Sequence, residues 1–104
     1  MSSFQQIIED SKPVLIDFFA EWCGPCKMMP PILNQLKANM GSSLRILKID
    51  VDKNPDVASK YQVRGVPTLL LMRSGKILWK QSGVLQAGEL QQVIEHHLKV
   101  KAQF

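Results

Sequence analysis

The stretch Val14-Leu15-Ile16-Asp17-Phe18-Phe19-Ala20-Glu21-Trp22-Cys23-Gly24-Pro25-Cys26-Lys27 joins two patterns. Its first six residues are apolar except for Asp17 and rich in strand formers, which suits a strand buried on both faces. Two cysteines follow, with Gly24 and Pro25 between them. Beyond them Met29, Ile32, Leu33, Leu36 and Met40 recur at helical spacing, and Gly41 is placed as a stop. The spacing predicts a helix from Cys23 to Met40, kinked at Pro31, whose missing N–H breaks the hydrogen-bond ladder. A strand that runs directly into Cys-x-x-Cys at a helix start decides the fold.

Before this stretch, Phe4, Ile7 and Ile8 share a helical face, and Ser3 with Gln6 has the spacing of a capping box. A short helix is expected over 4–11, ended by Pro13. After it, Leu44–Val51 reads as a second strand, and Pro55 opens a short helix reaching about Tyr61. Thr68–Arg73 and Lys76–Gln81 are strands joined by a Ser74-Gly75 hairpin turn. Ala87–Lys101 is an amphipathic helix with Leu90, Val93, Ile94 and Leu98 inward. The order α-β-α-β-α-β-β-α implies an α/β fold: a right-handed βαβ unit with parallel strands, then an antiparallel pair, in a small mixed sheet with helices on both faces. The chain of 104 residues is expected to form one domain over 1–104.

Thirteen basic against nine acidic residues give +4, but the cations are scattered and no aromatics interleave with them, so nucleic-acid binding is not expected. No segment approaches the ~18 unbroken apolar residues of a membrane span. The first ten residues have neither the basic flank nor the apolar run of a secretory leader. A cytoplasmic location is the expectation.

Two cysteines closing so small a loop add little chain-entropy stabilisation, so stapling the fold is a poor reason for them. A zinc site needs four ligands, and the only other soft ones, His96 and His97, are adjacent on a helix and do not converge. No metal is expected. Redox chemistry remains the stronger reading beside an inert disulfide or buried thiols. Unpaired N–H groups and positive partial charge at a helix start stabilise a thiolate at Cys23, the attacking form. Cys26, one turn further in, can resolve the mixed disulfide that Cys23 forms. Gly24 and Pro25 keep that turn tight.

The opening stretch, Lys48-Ile49-Asp50-Val51-Asp52 and Tyr61-Gln62-Val63-Arg64-Gly65-Val66-Pro67-Thr68-Leu69 together strongly resemble thioredoxin, over about residues 4–100. Thiol activation at such a helix start is described for that family itself, so it is not a separate line of support. The resemblance implies a thioredoxin fold and reduction of exposed disulfides in protein substrates by dithiol–disulfide exchange, an electron-carrying role in cell redox homeostasis. Cys23 would be the exposed nucleophile and Cys26 the resolving thiol. Asp17, behind them, would move the proton of Cys26, with Lys48 as its supporting cation. Pro67 would be a cis-proline beside the cysteines. Substrate would pair with the Val66 backbone in a groove formed with Trp22, Gly65 and Gly83. Without the resemblance, Pro67 reads equally well as a trans proline starting a strand, and Gly83 as a turn glycine. No bound cofactor is implied, because no Gly-rich nucleotide fingerprint is present. Electrons would come from NADPH through a separate thioredoxin reductase. An oxidase or isomerase, a redox-silent binding module, and a metal-bridged dimer through two Cys-x-x-Cys motifs are the rival readings.

Phe19 stands where many thioredoxins carry tryptophan, Pro30 precedes Pro31, and only Met1 to Ser3 precede the first helix, too few for the family's first strand. The expectation is therefore a four-stranded sheet with Leu44–Val51 as an edge. That edge would be shielded by the N-terminal residues or by the Lys99–Phe104 tail, or used in weak self-association of a chain that is otherwise monomeric.

Overall fold

A computed structural model describes residues 3–102. In chain order the elements are α1 (Phe4–Glu9), β1 (Val14–Phe19), a 3-10 turn (Pro25–Met28), α2 (Met29–Met40), β2 (Arg45–Asp50), α3 (Pro55–Lys60), β3 (Thr68–Arg73), β4 (Lys76–Ser82) and α4 (Ala87–Ala102). The sheet has four strands in the order β2-β1-β3-β4. β1 and β2 are parallel, while β3 runs antiparallel to both β1 and β4. This is the small mixed sheet that the order of patterns requires, with β2 and β4 as its edges. Met1, Ser2, Gln103 and Phe104, to which edge shielding was assigned in part, lie outside the described residues.

The period of two along β1 divides the core. Val14, Ile16 and Phe18 pack with Ile8, Tyr61, Leu70 and Met72 on the α1/α3 side. Leu15 packs with Leu33, Leu36, Leu90 and Ile94 on the α2/α4 side. Each fully buried leucine or isoleucine contributes about 2 kcal/mol of burial free energy. Asp17 has the parity of Leu15, so this alternation directs its carboxyl to the α2 side, under the cysteines.

Several boundaries differ from expectation: β2 is one residue shorter at each end than Leu44–Val51, α4 runs one residue past Lys101, and three others shift for a local reason. α1 stops at Glu9, because Asp10 leaves the helix and its carboxylate accepts the Lys12 N–H at 3.0 Å. At its other end the capping box is complete: Ser3 Oγ accepts the Gln6 N–H, and Gln6 Oε1 accepts the Ser3 N–H. The long helix begins at Pro25 instead of Cys23, and its first turn is 3-10. An α-helix there would need N–H donors at residues 30 and 31, and both are proline. Lys27 N–H instead bonds Gly24 O at 3.0 Å, one residue closer. Pro30 and Pro31 then fall in the first turn of α2, where donors have no helical partner anyway, so the irregularity precedes Pro31. β4 extends to Ser82, whose hydroxyl lies 3.0 Å from that of Thr68 across the pair. At the hairpin Ser74 and Gly75 have φ of 54° and 77°, the left-handed pair of a tight two-residue turn.

Candidate active site

The site forms where β1 ends and α2 begins. Beyond Phe19 the chain turns, with the Cys23 N–H bonding Ala20 O at 3.1 Å, and enters the helix through Gly24. Cys23 and Cys26 are joined as a disulfide. The Cys26 N–H donates to Cys23 Sγ at 3.2 Å. A donor aimed at that sulfur stabilises it most when it is an anion. Cys23 is only 4 % exposed and Cys26 6 %, which corrects the expectation of an exposed attacker. With its sulfur bonded to Cys26, Cys23 packs with Ala20 and is flanked by Val51 and Val66.

In front of the disulfide stands the loop before β3. The Val66–Pro67 peptide bond is cis. The Val66 carbonyl oxygen lies 3.7 Å from Cys23 Sγ, a contact that becomes a hydrogen bond only when Cys23 carries a proton. Among the described residues the Val66 N–H and C=O have no backbone partner. The loop is held from both sides. Thr68 Oγ1 donates to Gly65 O at 2.6 Å, and the Gly83 N–H donates to Pro67 O at 2.9 Å. Gly83 sits at φ +99°, a region that strains any residue with a Cβ. A Cβ at Gly65 or Gly83 would meet nothing within 4 Å. Space is open there for a second molecule.

Trp22 is 72 % exposed, and its indole N–H donates to Asp52 Oδ2 at 2.8 Å. Asp52 is placed in turn by buried Asp50, whose Oδ1 accepts the Asp52 N–H at 2.9 Å and whose backbone oxygen accepts the Asn54 N–H at 3.0 Å. Trp22, Gly65 and Val66 line one small pocket beside Cys23, closed by Val51, Val63 and Arg64.

Behind the disulfide a pocket of about 250 Å³ brings Asp17, Cys26, Lys48 and Phe19 together. Asp17 is 1 % exposed, and its Oδ1 has no hydrogen-bond partner among the described residues. Burial pushes its carboxyl up to about 6, against the opposing pull of the Lys48 charge. Lys48 pairs with Asp17 across the parallel β1–β2 ladder, so both side chains share a face. Lys48 Nζ lies over the Phe19 ring, 5.9 Å from its centroid. The aromatic ring at that position thus supports the cation from below. Among the described residues no group of three or more His, Cys, Asp or Glu side chains is arranged to hold a metal ion.

The structure therefore gathers Cys23, Cys26, Asp17, Lys48, Gly24 and Pro25 on one side, and Trp22, Gly65, Val66, Pro67 and Gly83 on the other. Sequence reading missed Thr68, Asp50 and Asp52 as supports. Asp50-x-Asp52 after a strand was an available sign of a side-chain-stabilised turn. A threonine at a strand start carried no such sign.

A Thioredoxin family model matches residues 1–96. The chain is 43 % identical over 101 residues to "Thioredoxin Y2, chloroplastic" of Arabidopsis thaliana, an alignment covering 96 % of this chain and 60 % of that protein. It is 42 % identical over 92 residues to a thioredoxin of Acidithiobacillus ferridurans, covering 88 % of this chain and 85 % of that one. With the thioredoxin of Bacillus subtilis it shares 46 % identity over 85 residues, 82 % of each chain. The chain spans about 60 % of the length of the chloroplastic relatives it matches.

Proposed function

The chain belongs to the thioredoxin family, and from that premise we propose that it is a thiol–disulfide oxidoreductase, a protein-disulfide reductase acting through Cys23 and Cys26. The observation that carries this reading is the Cys23–Cys26 disulfide at a helix start, with the Cys26 N–H directed at Cys23 Sγ and the unpaired Val66 backbone beside it.

In the reduced protein the Cys23 thiolate attacks one sulfur of an exposed substrate disulfide. The substrate S–S bond breaks, a Cys23–substrate mixed disulfide forms, and the leaving thiolate takes a proton from solvent. An extended substrate segment pairs with Val66 N–H and C=O, seated between Trp22, Gly65 and Gly83. Asp17, ionised, accepts the proton of Cys26 across the pocket they share, and Lys48 favours that ionised state. The Cys26 thiolate attacks Cys23 Sγ, the mixed disulfide breaks, and the second substrate thiolate leaves. Two electrons pass to the substrate, and the disulfide seen here is the product. Gly24 and Pro25 set the separation that makes this closure fast.

NADPH, through a separate thioredoxin reductase, returns the electrons, and the chain needs no bound cofactor. It acts as a single domain over 1–104 and as a monomer on disulfide-containing proteins, without nucleic acid. No helix among the described residues is long and apolar enough to cross a membrane. We place the protein in the cytoplasm; three relatives carry a chloroplastic designation, and cell fractionation decides between these reducing compartments.

The test is reduction of insulin disulfides with dithiothreitol as electron source. Acceleration over dithiothreitol alone, lost in Cys23→Ser, is the expected result. An unaccelerated reaction removes the proposal. A Cys26→Ser variant that keeps the protein's role in cells would favour the redox-silent binding module instead.

A further inference from the structure

Among the described residues β2 is an open edge, and its chemistry is specific. The Arg45 N–H bonds Pro13 O at 3.0 Å and the Val51 N–H bonds Phe19 O at 2.9 Å, so odd residues of this strand turn their backbone groups toward β1. By alternation, Ile46, Lys48 and Asp50 turn theirs outward. The Asp50 oxygen is already taken by the N–H and side-chain amide of Asn54. Ile46 and Lys48 are left with two N–H and two C=O groups facing away from the sheet, a template for one further strand.

Beside that edge, between β2 and α2, lies a pocket of about 300 Å³. Leu33 and Ile46 form its apolar part, Lys37, Arg45 and Lys48 also line it, and no acidic residue does among the described residues. Lys37 is held there by donating to Leu44 O at 2.7 Å. The Asp10 carboxyl, kept below the usual carboxylate range chiefly by the Lys12 N–H, also feels the Arg45 charge, and Asp17 feels that of Lys48. These two acids do not line the pocket and leave its cations in excess.

We propose that the β2 edge and this basic pocket bind an extended acidic segment of a partner protein, added as a fifth strand along Ile46–Lys48 with its carboxylates on Lys37, Arg45 and Lys48. The charge pattern selects this occupant over a second copy of the chain. Antiparallel pairing of β2 with itself through both outward residues would set Ile46 opposite Lys48, which gives the cations no acidic partner. An Asp or Glu on one face of an incoming strand meets Lys37 and Lys48, one on the other face meets Arg45, and its backbone completes the ladder. Such a partner need carry no disulfide, so the binding does not depend on the redox reading.

The probe is a capped eight-residue peptide of Glu interspersed with Thr and Val, acidic on both faces when extended, titrated into the full chain labelled with nitrogen-15. Expected are saturable shifts of the Ile46 and Lys48 amides, and slowed hydrogen exchange at both. A peptide with Lys replacing Glu should leave them unmoved. Arg45→Gln together with Lys37→Gln should weaken binding about tenfold, the combined loss of two partly exposed charge pairs, with insulin reduction retained. Should the double variant not fold, Arg45→Gln alone and raised salt must still weaken binding. Four results overturn the proposal: no shift at Ile46 and Lys48, equal binding of the Lys peptide, shifts confined to Trp22 and Val66, or exchange protection of both edge amides in the free chain. Protection that grows with chain concentration would identify a second copy as the occupant.

Discussion

Cys23 and Cys26 are bonded to each other and almost equally buried, yet the regions on their two sides are built in opposite ways. In front of Cys23 stands a surface of loops: the exposed indole of Trp22, the unpaired backbone of Val66, and open space over Gly65 and Gly83. Behind Cys26 lies the sheet, with a carboxyl at 1 % exposure and a cation held over an aromatic ring. The front is suited to recognising another chain, since its hydrogen-bonding groups are unfilled. The back is suited to moving a proton, since its acid is poorly solvated and held where it changes charge near neutral pH. One short turn thus presents two chemically similar sulfurs to two different media, and their difference in role follows from the media.

Exchanging one sulfur at a time tests this asymmetry most severely. Cys23→Ser should drop insulin reduction to the dithiothreitol background and form no mixed disulfide. Cys26→Ser should also stop turnover but accumulate the Cys23 mixed disulfide, visible by mass spectrometry as a stable adduct. If both variants trapped substrate equally, the two sides would be equivalent and the contrast would fail.

Asp17→Asn probes the rear region alone. At fixed substrate the resolving step should slow by up to about a hundredfold near neutral pH, the scale of a lost general base. In the unaltered protein that step should rise with pH through about 6; in the variant the rise should flatten. Stability carries its own signature. The folded-state value near 6 is raised above the ordinary 3.8, so the folded chain holds the Asp17 proton more tightly than the unfolded chain does. The contribution of Asp17 to stability is therefore largest below about 4 and falls as pH climbs through 6, by about 3 kcal/mol once Asp17 is fully ionised. Urea denaturation at pH 4 and pH 7 should find Asp17→Asn gaining on the unaltered chain at the higher pH. An equal difference at both values would mean that Asp17 does not titrate as burial dictates.

The two regions also differed in how well the sequence disclosed them. The rear was legible because it lies on regular structure. A single carboxylate in an apolar strand is conspicuous, and the period of two says which face it takes. The cysteine spacing and the strand before it likewise have periodic surroundings. The front was read chiefly through the resemblance. Its supports join Thr68 to Gly65, Gly83 to Pro67 and Trp22 to Asp52, and such polar contacts between loops follow no period. The helix start was misplaced for a related reason: helical spacing continues through Pro25–Met28, but the absent donors of Pro30 and Pro31 force a 3-10 turn that side-chain periodicity does not register.

Thr68→Val probes the front at its firmest support. It removes the bond to Gly65 O and the contact with Ser82 while nearly keeping the shape. The cost should be about 1–2 kcal/mol of stability, the value of a partly buried hydrogen bond whose partner is left unpaired. KM for protein substrates should rise with kcat nearly unchanged, since the Asp17 side is untouched. A matched fall in kcat would mean that the front loop takes part in resolution, and that the division of labour is less clean.

The smallest effect should come from Asp52→Ala, which touches only the outermost part of the front. Trp22 would lose the acceptor that fixes its indole but keep its position in the chain. Because both groups are exposed, the stability change should stay within about 1 kcal/mol. Substrate KM should nonetheless rise by a small factor, because a freely rotating indole must be ordered again on binding, at a cost of about 1 kcal/mol. Trp22 fluorescence, read in a Trp79→Phe background, should show faster depolarisation in the variant than in its parent. If depolarisation and KM both stay fixed, the Asp50–Asp52 turn serves only the fold. The front would then reduce to the Val66 backbone and the open space around it.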